Sequence, residues 1–239
     1  YQTIDVDGEK FQKAIVFFDV NFSIEEIQKA NQAAKELGKN LIVLPKMAWS
    51  QRRKMAEMLR EYDKMPDKID KLEKALEKEL DPTKKQSLQT ELDLLKTKKQ
   101  KYNKDIKATI EDPAYTLQNK NMPALIKQLE AQKLTIDSII ISGHSSGTTG
   151  DGEMEYWGDF NGDDTDLDRD KLIETLQASF DSPALKGLNH VYISACNAMT
   201  PYEAKIWMKG LPSLNSCTGY KGLAGRGYYP AVQATIKND

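Results

Sequence analysis

Two residues with reactive side chains each follow an apolar run in this sequence. His144 comes after IIIS in DSIIISGHSSG (residues 137–147), and Cys196 comes after VYIS in GLNHVYISACNA (residues 187–198). A cysteine thiolate is a nucleophile, and a nearby imidazole can promote its ionisation or protonate a leaving group. If both runs are parallel strands, their carboxyl ends bring the two side chains to one edge of a sheet. The pair therefore predicts a Cys-His dyad for nucleophilic catalysis.

The residues around this pair favour the same chemistry. Thr200 and Pro201 are typical of a helix start, and the positive end of that helix would face the sulfur of Cys196. Small residues after the histidine let backbone amides approach a substrate carbonyl. An amide of Ser145 or Ser146, together with that of Cys196, could form an oxyanion hole.

The other histidine and the other cysteine are predicted to be structural. His190 precedes its apolar run, which puts it at the opposite end of the strand from Cys196. Cys217 falls within a further predicted strand and is expected in the core. In an oxidising compartment, a disulfide between Cys196 and Cys217 would block the dyad.

The elements that must position the dyad alternate between strand and helix. Ser23 and Glu26 fit a capping box at the start of the first helix, and Gly38 fits its end. The handedness rule makes the first two strands parallel. The predicted strands are residues 11–20, 40–45, about 136–143, about 189–195 and the stretch SLNSCTGY; the predicted helices are 23–38, about 167–180 and 201–211.

The middle of the chain has a different character. From about residue 48 to 133 the β-branched runs disappear, and apolar residues recur at helical spacing. Asp81 and Pro82 separate two such stripes, and Pro66, Pro113 and Pro123 are expected to divide the region into segments. The stripes are Ile69, Leu72, Leu76 and Leu80, then Leu88, Leu92, Leu95, Tyr102, Ile106 and Ile110. They predict a long antiparallel helical hairpin, either a solvated arm or a surface for a protein partner.

These elements predict an α/β fold with a mostly parallel sheet covered by helices on both faces. We assign residues 1–47 and 134–239 to the sheet domain and residues 48–133 to an inserted helical hairpin.

The segments ISGHSSG and YISACNA resemble the caspase-like fold of cysteine peptidases, which includes caspases, legumain, clostripain, separase and CHAT domains. The stretch WMKGLPSLNSCTGYKGLAG is also similar to bacterial caspase-like proteins. The resemblance covers residues 11–45 and 134–225 in broad pattern. It implies that His144 is the catalytic histidine, that Cys196 is the nucleophile and that the sheet has six strands. The chain differs from the family pattern in having Ser145, rather than glycine, directly after the histidine.

An acidic loop before the helix at 167–180 allows two interpretations. GDFNGDDTDLDRD places oxygen-bearing side chains at the spacing of a calcium loop, although Asp164 replaces the usual glycine and an aspartate replaces the usual glutamate at the last position. The spaced residues are Asp159, Asn161, Asp163, Thr165 and Asp170. The alternative is a solvated loop that caps the helix. Asp159, with the neighbouring Tyr156 and Trp157, could also line a substrate subsite, and the acidic charge favours a basic substrate side chain.

The composition of the chain limits the classes of partner that it is expected to bind. With 34 basic and 36 acidic residues and a net charge of −2, the 239-residue chain has no global field to attract nucleic acid. No apolar run is long enough to span a bilayer. No phosphate-binding glycine loop follows the first strand, and no cofactor is expected apart from the calcium option. Because the sequence begins at Tyr1, a removed leader is one explanation, and we favour a secreted or periplasmic location over a cytoplasmic one.

We therefore expect a cysteine endopeptidase that acts on protein or peptide substrates. Cleavage within its own lysine-rich hairpin would make it self-processing. The alternative is a caspase-like scaffold without turnover that binds a protein partner through the hairpin.

Overall fold

The computed structural model describes residues 1–110, 122–145, 155–157, 167–195 and 200–220. These residues form a mixed α/β structure around one six-stranded sheet, with a separate three-stranded sheet beside it. The strands are β1 (Thr3–Val6), β2 (Glu9–Asp19), β3 (Asn40–Leu44), β4 (Leu134–Ser142), β5 (His144–Ser145), β6 (Glu155–Trp157), β7 (Leu167–Asp168), β8 (His190–Ser194) and β9 (Ser216–Gly219). The helices are α1 (Ile24–Glu36), α2 (Trp49–Lys78), α3 (Pro82–Ile110), α4 (Met122–Ala131), α5 (Arg169–Ala178) and α6 (Pro201–Gly210), with a 3-10 turn at Pro183–Leu185.

Strand β2 organises the large sheet. Its first residues pair with antiparallel β1 and its later residues with parallel β3, while its other edge pairs with β4. Strands β8 and β9 continue the sheet beyond β4, both parallel to their neighbours. The predicted parallel pairing of the first two strands is confirmed, and the antiparallel β1 makes the sheet mixed.

The apolar runs form central strands because both faces of the sheet are covered. Along β2, Val16 and Phe18 pack on one face, and Ile15 and Phe17 pack on the other. A strand buried on both sides needs a continuous apolar sequence, which is what the run around these residues supplies.

Helices cover the two faces unequally. Helix α1 packs on the face of Ile15 and Phe17, whereas α4, α5, α6 and the 3-10 turn pack on the face of Val16 and Phe18. Helix α4 belongs to this core, although it falls inside the range assigned to the insertion. Among the described residues, no helix combines the length and apolar character needed to cross a bilayer.

Helices α2 and α3 lie against one another, and ion pairs join them at two levels. Lys98 contacts Glu61 at 2.7 Å, and Lys96 contacts Glu73 at 2.7 Å. The expected break at Pro66 is wrong, since α2 continues through this residue. Contacts with α3 on both sides of Pro66 hold the helix in place despite the missing backbone hydrogen bond.

A buried charge cluster lies toward the amino-terminal end of β4. The carboxylate of Asp137 contacts the Lys39 ammonium at 2.6 Å and the Lys13 ammonium at 2.7 Å. The side chains of Asp137 and Lys39 are each 2% exposed. Burial alone would raise the pKa of Asp137, but its bonds to the two lysines hold this pKa below the usual value.

Candidate functional site

The carboxyl ends of three neighbouring strands lie side by side. Ser142, the last residue of β4, pairs with Asp19 of β2 on one side and with Ser194 of β8 on the other. The Val20 amide donates to the Ser142 carbonyl at 3.0 Å, and the Gly143 amide donates to the Ser194 carbonyl at 3.2 Å. Strands β4 and β8 therefore end in register at one edge, which we call the strand-end rim (Asp19, Ser142 and Ser194).

His144 lies two residues beyond this rim. It belongs to the two-residue strand β5, where it pairs with Trp157 of β6, and Ser145 pairs with Tyr156. Both His144 and Ser145 are half-buried. The antiparallel pairing of β5 with β6 fixes the backbone of His144. From the sequence, His144 was predicted to lie in a loop.

The segment that contains Cys196 lies between two well-defined flanks. Ser194 and Ala195 precede it and are buried. Thr200 follows it and caps α6, accepting a hydrogen bond from the Glu203 amide at 3.2 Å, as predicted. Cys196 belongs to the segment 196–199, which lies outside the described residues.

The carboxylate of Asp19 lies at the rim and was not predicted from the sequence. Asp19 is completely buried, forms an ion pair with Arg52 of α2, and accepts a hydrogen bond from the Ser23 amide at 2.8 Å. Arg52 also donates to the Pro45 carbonyl at 2.5 Å. Burial raises the pKa of Asp19 to about 6, although Arg52 opposes this shift.

A second carboxylate, that of Glu26, bonds to the rim from helix α1. Its Oε2 accepts a hydrogen bond from the Ser142 hydroxyl. Burial raises the pKa of Glu26 to about 7, and the negative charge of Asp19 adds to the shift.

The predicted capping box is half correct. The Ser23 hydroxyl does accept from the Glu26 amide, at 3.4 Å. Asp19, however, takes the Ser23 amide that Glu26 was expected to bond, and the Glu26 side chain turns to Ser142 instead. The usable signal was an aspartate at the end of an apolar strand, followed seven residues later by a glutamate in the first turn of a helix.

The acidic loop is described only at its end. Asp159, Asn161, Asp163 and Thr165 lie outside the described residues. Asp170 forms a two-pronged ion pair with Arg169, at 2.8 and 3.0 Å. Asp168 caps α5 by accepting from the Lys171 amide at 2.9 Å, which is the role that the capping interpretation assigned to this region. No group of His, Cys, Asp and Glu suited to a metal was found within the described part of the chain.

Two aromatic residues, Tyr156 and Trp157, were predicted to line a substrate subsite. Tyr156 is completely buried in the core beside Trp207, so its side chain packs and offers no surface to a substrate. Burial also raises the pKa of its hydroxyl. Trp157 is located only as the last residue of β6.

His190 and Cys217 occupy the positions predicted for them. His190 begins β8, and its Nδ1 lies 2.7 Å from the Ser216 hydroxyl, far along the strand from the rim. Cys217 lies in β9 beside Val191 as a free thiol. Burial raises its pKa to about 12, with a contribution from Glu203, so it is poorly suited to act as a nucleophile.

Comparison with protein-family models, curated proteins and solved structures found no match to this chain.

Proposed function

We propose that this protein is a cysteine endopeptidase with a caspase-like sheet, in which Cys196 is the nucleophile and His144 is the general acid and base. The observation that carries the proposal is the register of Ser142 with Ser194 at the ends of adjacent parallel strands. His144 and Cys196 each follow one of these serines by two residues. Chain connectivity keeps the Cα atom of His144 within about 7 Å of the end of β4.

The strand order supports a ligand site at the strand-end rim. The parallel strands run β3, β2, β4, β8, β9 across the sheet, so the chain turns to the other side of β2 after β3. In sheets of this type, ligands bind beyond the carboxyl ends of the strands, near the point where the order reverses. The rim formed by β2, β4 and β8 occupies that point.

The reaction follows from the two side chains. The Cys196 thiolate attacks the scissile carbonyl carbon, and backbone amides stabilise the negative oxygen. As the carbon–nitrogen bond breaks, the His144 imidazolium gives its proton to the departing amine, and the acyl group remains on Cys196 as a thioester. The neutral imidazole then takes a proton from water while the water oxygen attacks the thioester carbon. The carbon–sulfur bond breaks, the carboxylic acid product leaves, and the thiolate–imidazolium pair is restored.

Alkylation with iodoacetamide tests the dyad. Half-buried Cys217 provides an internal reference, because with a pKa of about 12 it should label slowly in the folded protein. We expect Cys196 to label fastest at pH 7, and His144→Ala to slow its labelling by about tenfold. The matched control is His190→Ala, which removes the structural histidine and should leave the labelling rate of Cys196 unchanged. Equal, slow labelling of both cysteines would overturn the dyad.

Hydrolysis is tested separately. Purified protein should cleave casein, and intact-mass analysis should reveal any cleavage within its own helical region. Cys196→Ala should abolish both reactions. If Cys196 is reactive but neither casein nor the chain itself is cut, the endopeptidase assignment is wrong.

A second function is favoured by one surface. A groove of about 450 Å³ between α2 and α3 has an apolar floor that includes Leu72 and Leu95, and a basic rim that includes Lys68 and Lys71. Leu94 in the same groove is 67% exposed. This surface supports the alternative of a scaffold that binds a protein partner through its helical pair. Fast, His144-dependent labelling of Cys196 would argue against a scaffold without turnover.

A further inference from the structure

The Glu26 side chain joins helix α1 to the end of strand β4. It lies in the first turn of α1, and its carboxylate accepts a hydrogen bond from the Ser142 hydroxyl at the end of β4. Ser142 precedes His144 of the proposed dyad by two residues and pairs in register with Ser194 at the end of β8. The carboxylate thus holds the strand end from which the chain runs to His144.

We propose that Glu26 is a positioning residue whose protonation state regulates the dyad, because its carboxylate holds Ser142, two residues before His144. This inference rests on the proposed function. An ionised carboxylate can only accept, so it receives the Ser142 hydroxyl proton in a strong, charge-assisted bond. A protonated carboxyl group has lost that charge and carries a donor of its own, so it binds the hydroxyl less strongly. Protonation of Glu26 therefore weakens the support for the end of β4.

The surroundings of Glu26 favour a response near neutral pH. Burial and the nearby charge of Asp19 both disfavour the ionised form, while Ser142 and Ser194 favour it. The groups that face the carboxylate are Asp19 of β2, which is paired with Arg52 of α2, Glu25 of the same helix, Tyr192 of β8 and, through Tyr192, Tyr220. Because none of these is a cation paired directly with Glu26, small changes in pH can shift its protonation.

Glu26→Gln imitates the protonated form at every pH, since an amide accepts through one atom and donates through the other. We expect alkylation of Cys196 at pH 8 to be slowed about tenfold in this variant, and to match wild type near pH 5.5. The matched control is Glu36→Gln, which removes the same charge from the exposed far end of the same helix and should leave the pH profile unchanged.

A second variant tests the Glu26–Ser142 bond without altering the glutamate. Ser142→Ala removes a donor that favours the ionised form of Glu26, so the midpoint of the Glu26 titration, followed by ¹³C NMR of the side-chain carboxyl, should move to higher pH. A merely structural role for Ser142 would leave that midpoint in place. Circular dichroism at each pH verifies that the variants are folded.

The outcomes separate the two proposals. Fast, His144-dependent labelling that loses its rise between pH 6 and 8 in Glu26→Gln supports the inference. The same fast labelling with an unaltered profile in Glu26→Gln overturns the positioning role and leaves the peptidase intact. Slow labelling of Cys196 in wild type that His144→Ala does not change overturns the peptidase, and with it this inference.

Discussion

The carboxylate of Asp19 and the guanidinium of Arg52 form a buried ion pair that joins the end of β2 to the first turn of α2. Arg52 is 3% exposed at its side chain and Asp19 is fully buried. This pair attaches helix α2 to the strand-end rim. Arg52 also donates to the carbonyl of Pro45, the residue that follows β3, and so anchors the helix at a second point.

Replacing Arg52 should destabilise the fold. Arg52→Met leaves the buried Asp19 charge without its partner, and we expect the free energy of unfolding at pH 8 to fall by about 3 kcal/mol in urea titrations. The control is Arg53→Met, since exposed Arg53 only stacks over the Trp49 ring at 5.7 Å and should cost less than about 1 kcal/mol. A double variant that also carries Asp19→Asn should recover part of the loss. Equal effects of the two arginine substitutions would contradict this account.

Glu26 should make the protein less stable as pH rises. Its pKa is raised in the folded state, so between about pH 4.5 and 7 the folded chain binds more protons than the unfolded chain, and stability falls with increasing pH. Glu26→Gln removes this contribution and should raise the free energy of unfolding by about 2 kcal/mol at pH 8, with little difference at pH 4.5. Glu36→Gln, at the exposed far end of α1, should show no such difference between the two pH values. A variant that is more stable yet less reactive would separate positioning from folding.

Lys39 should protect the fold against acid. Asp137 has a lowered pKa, so its contribution is present above its unfolded pKa and is lost as pH falls through the lower, folded pKa. Lys39→Met should cost about 2 kcal/mol at pH 7, since Lys13 still pairs with Asp137, and acid unfolding should begin at higher pH. The comparison is Lys35→Met, on the exposed face at the end of α1. If both variants unfold at the same pH, Lys39 does not hold Asp137 ionised.

Gly210 should resist substitution because α6 packs closely on α5 there. A Cβ atom at this position would lie 2.4 Å from Cγ2 of Ile173. Gly210→Ala should therefore lower stability by about 2 kcal/mol, measured by thermal unfolding. Ile173→Ala in the same chain should make the two effects less than additive, and Lys209→Ala on the exposed face should be close to neutral. Additive losses would show that the contact is not the cause.

The sheet could be predicted from the sequence because its central strands are continuous apolar runs bounded by turn residues. The same reasoning missed β1, β5, β6 and β7. Strands of two to four residues do not repeat a period long enough to recognise, and they form only because neighbouring chain segments pair with them. The helix break predicted at Pro66 was wrong for a related reason: contacts of α2 with α3 outweigh the local tendency of proline to end a helix.

The rim itself was half predictable. His144 and Cys196 could be predicted at strand ends from local pattern; of the two, the structure describes His144, two residues beyond the end of β4. The bond from Glu26 to Ser142 could not be predicted, because nothing in the sequence says that a side chain at a helix start reaches a serine more than a hundred residues away.

The pairing of β2 with β4 has a consequence for synthesis. Gln12 lies beside Leu134, and all of α2 and α3 come between them in the chain. On the ribosome, β2 can join β3 early, but its other apolar edge stays open until β4 emerges. Until then the nascent chain presents an unpaired strand edge. We therefore expect chaperone binding or aggregation to occur while the segment between β3 and β4 is being synthesised.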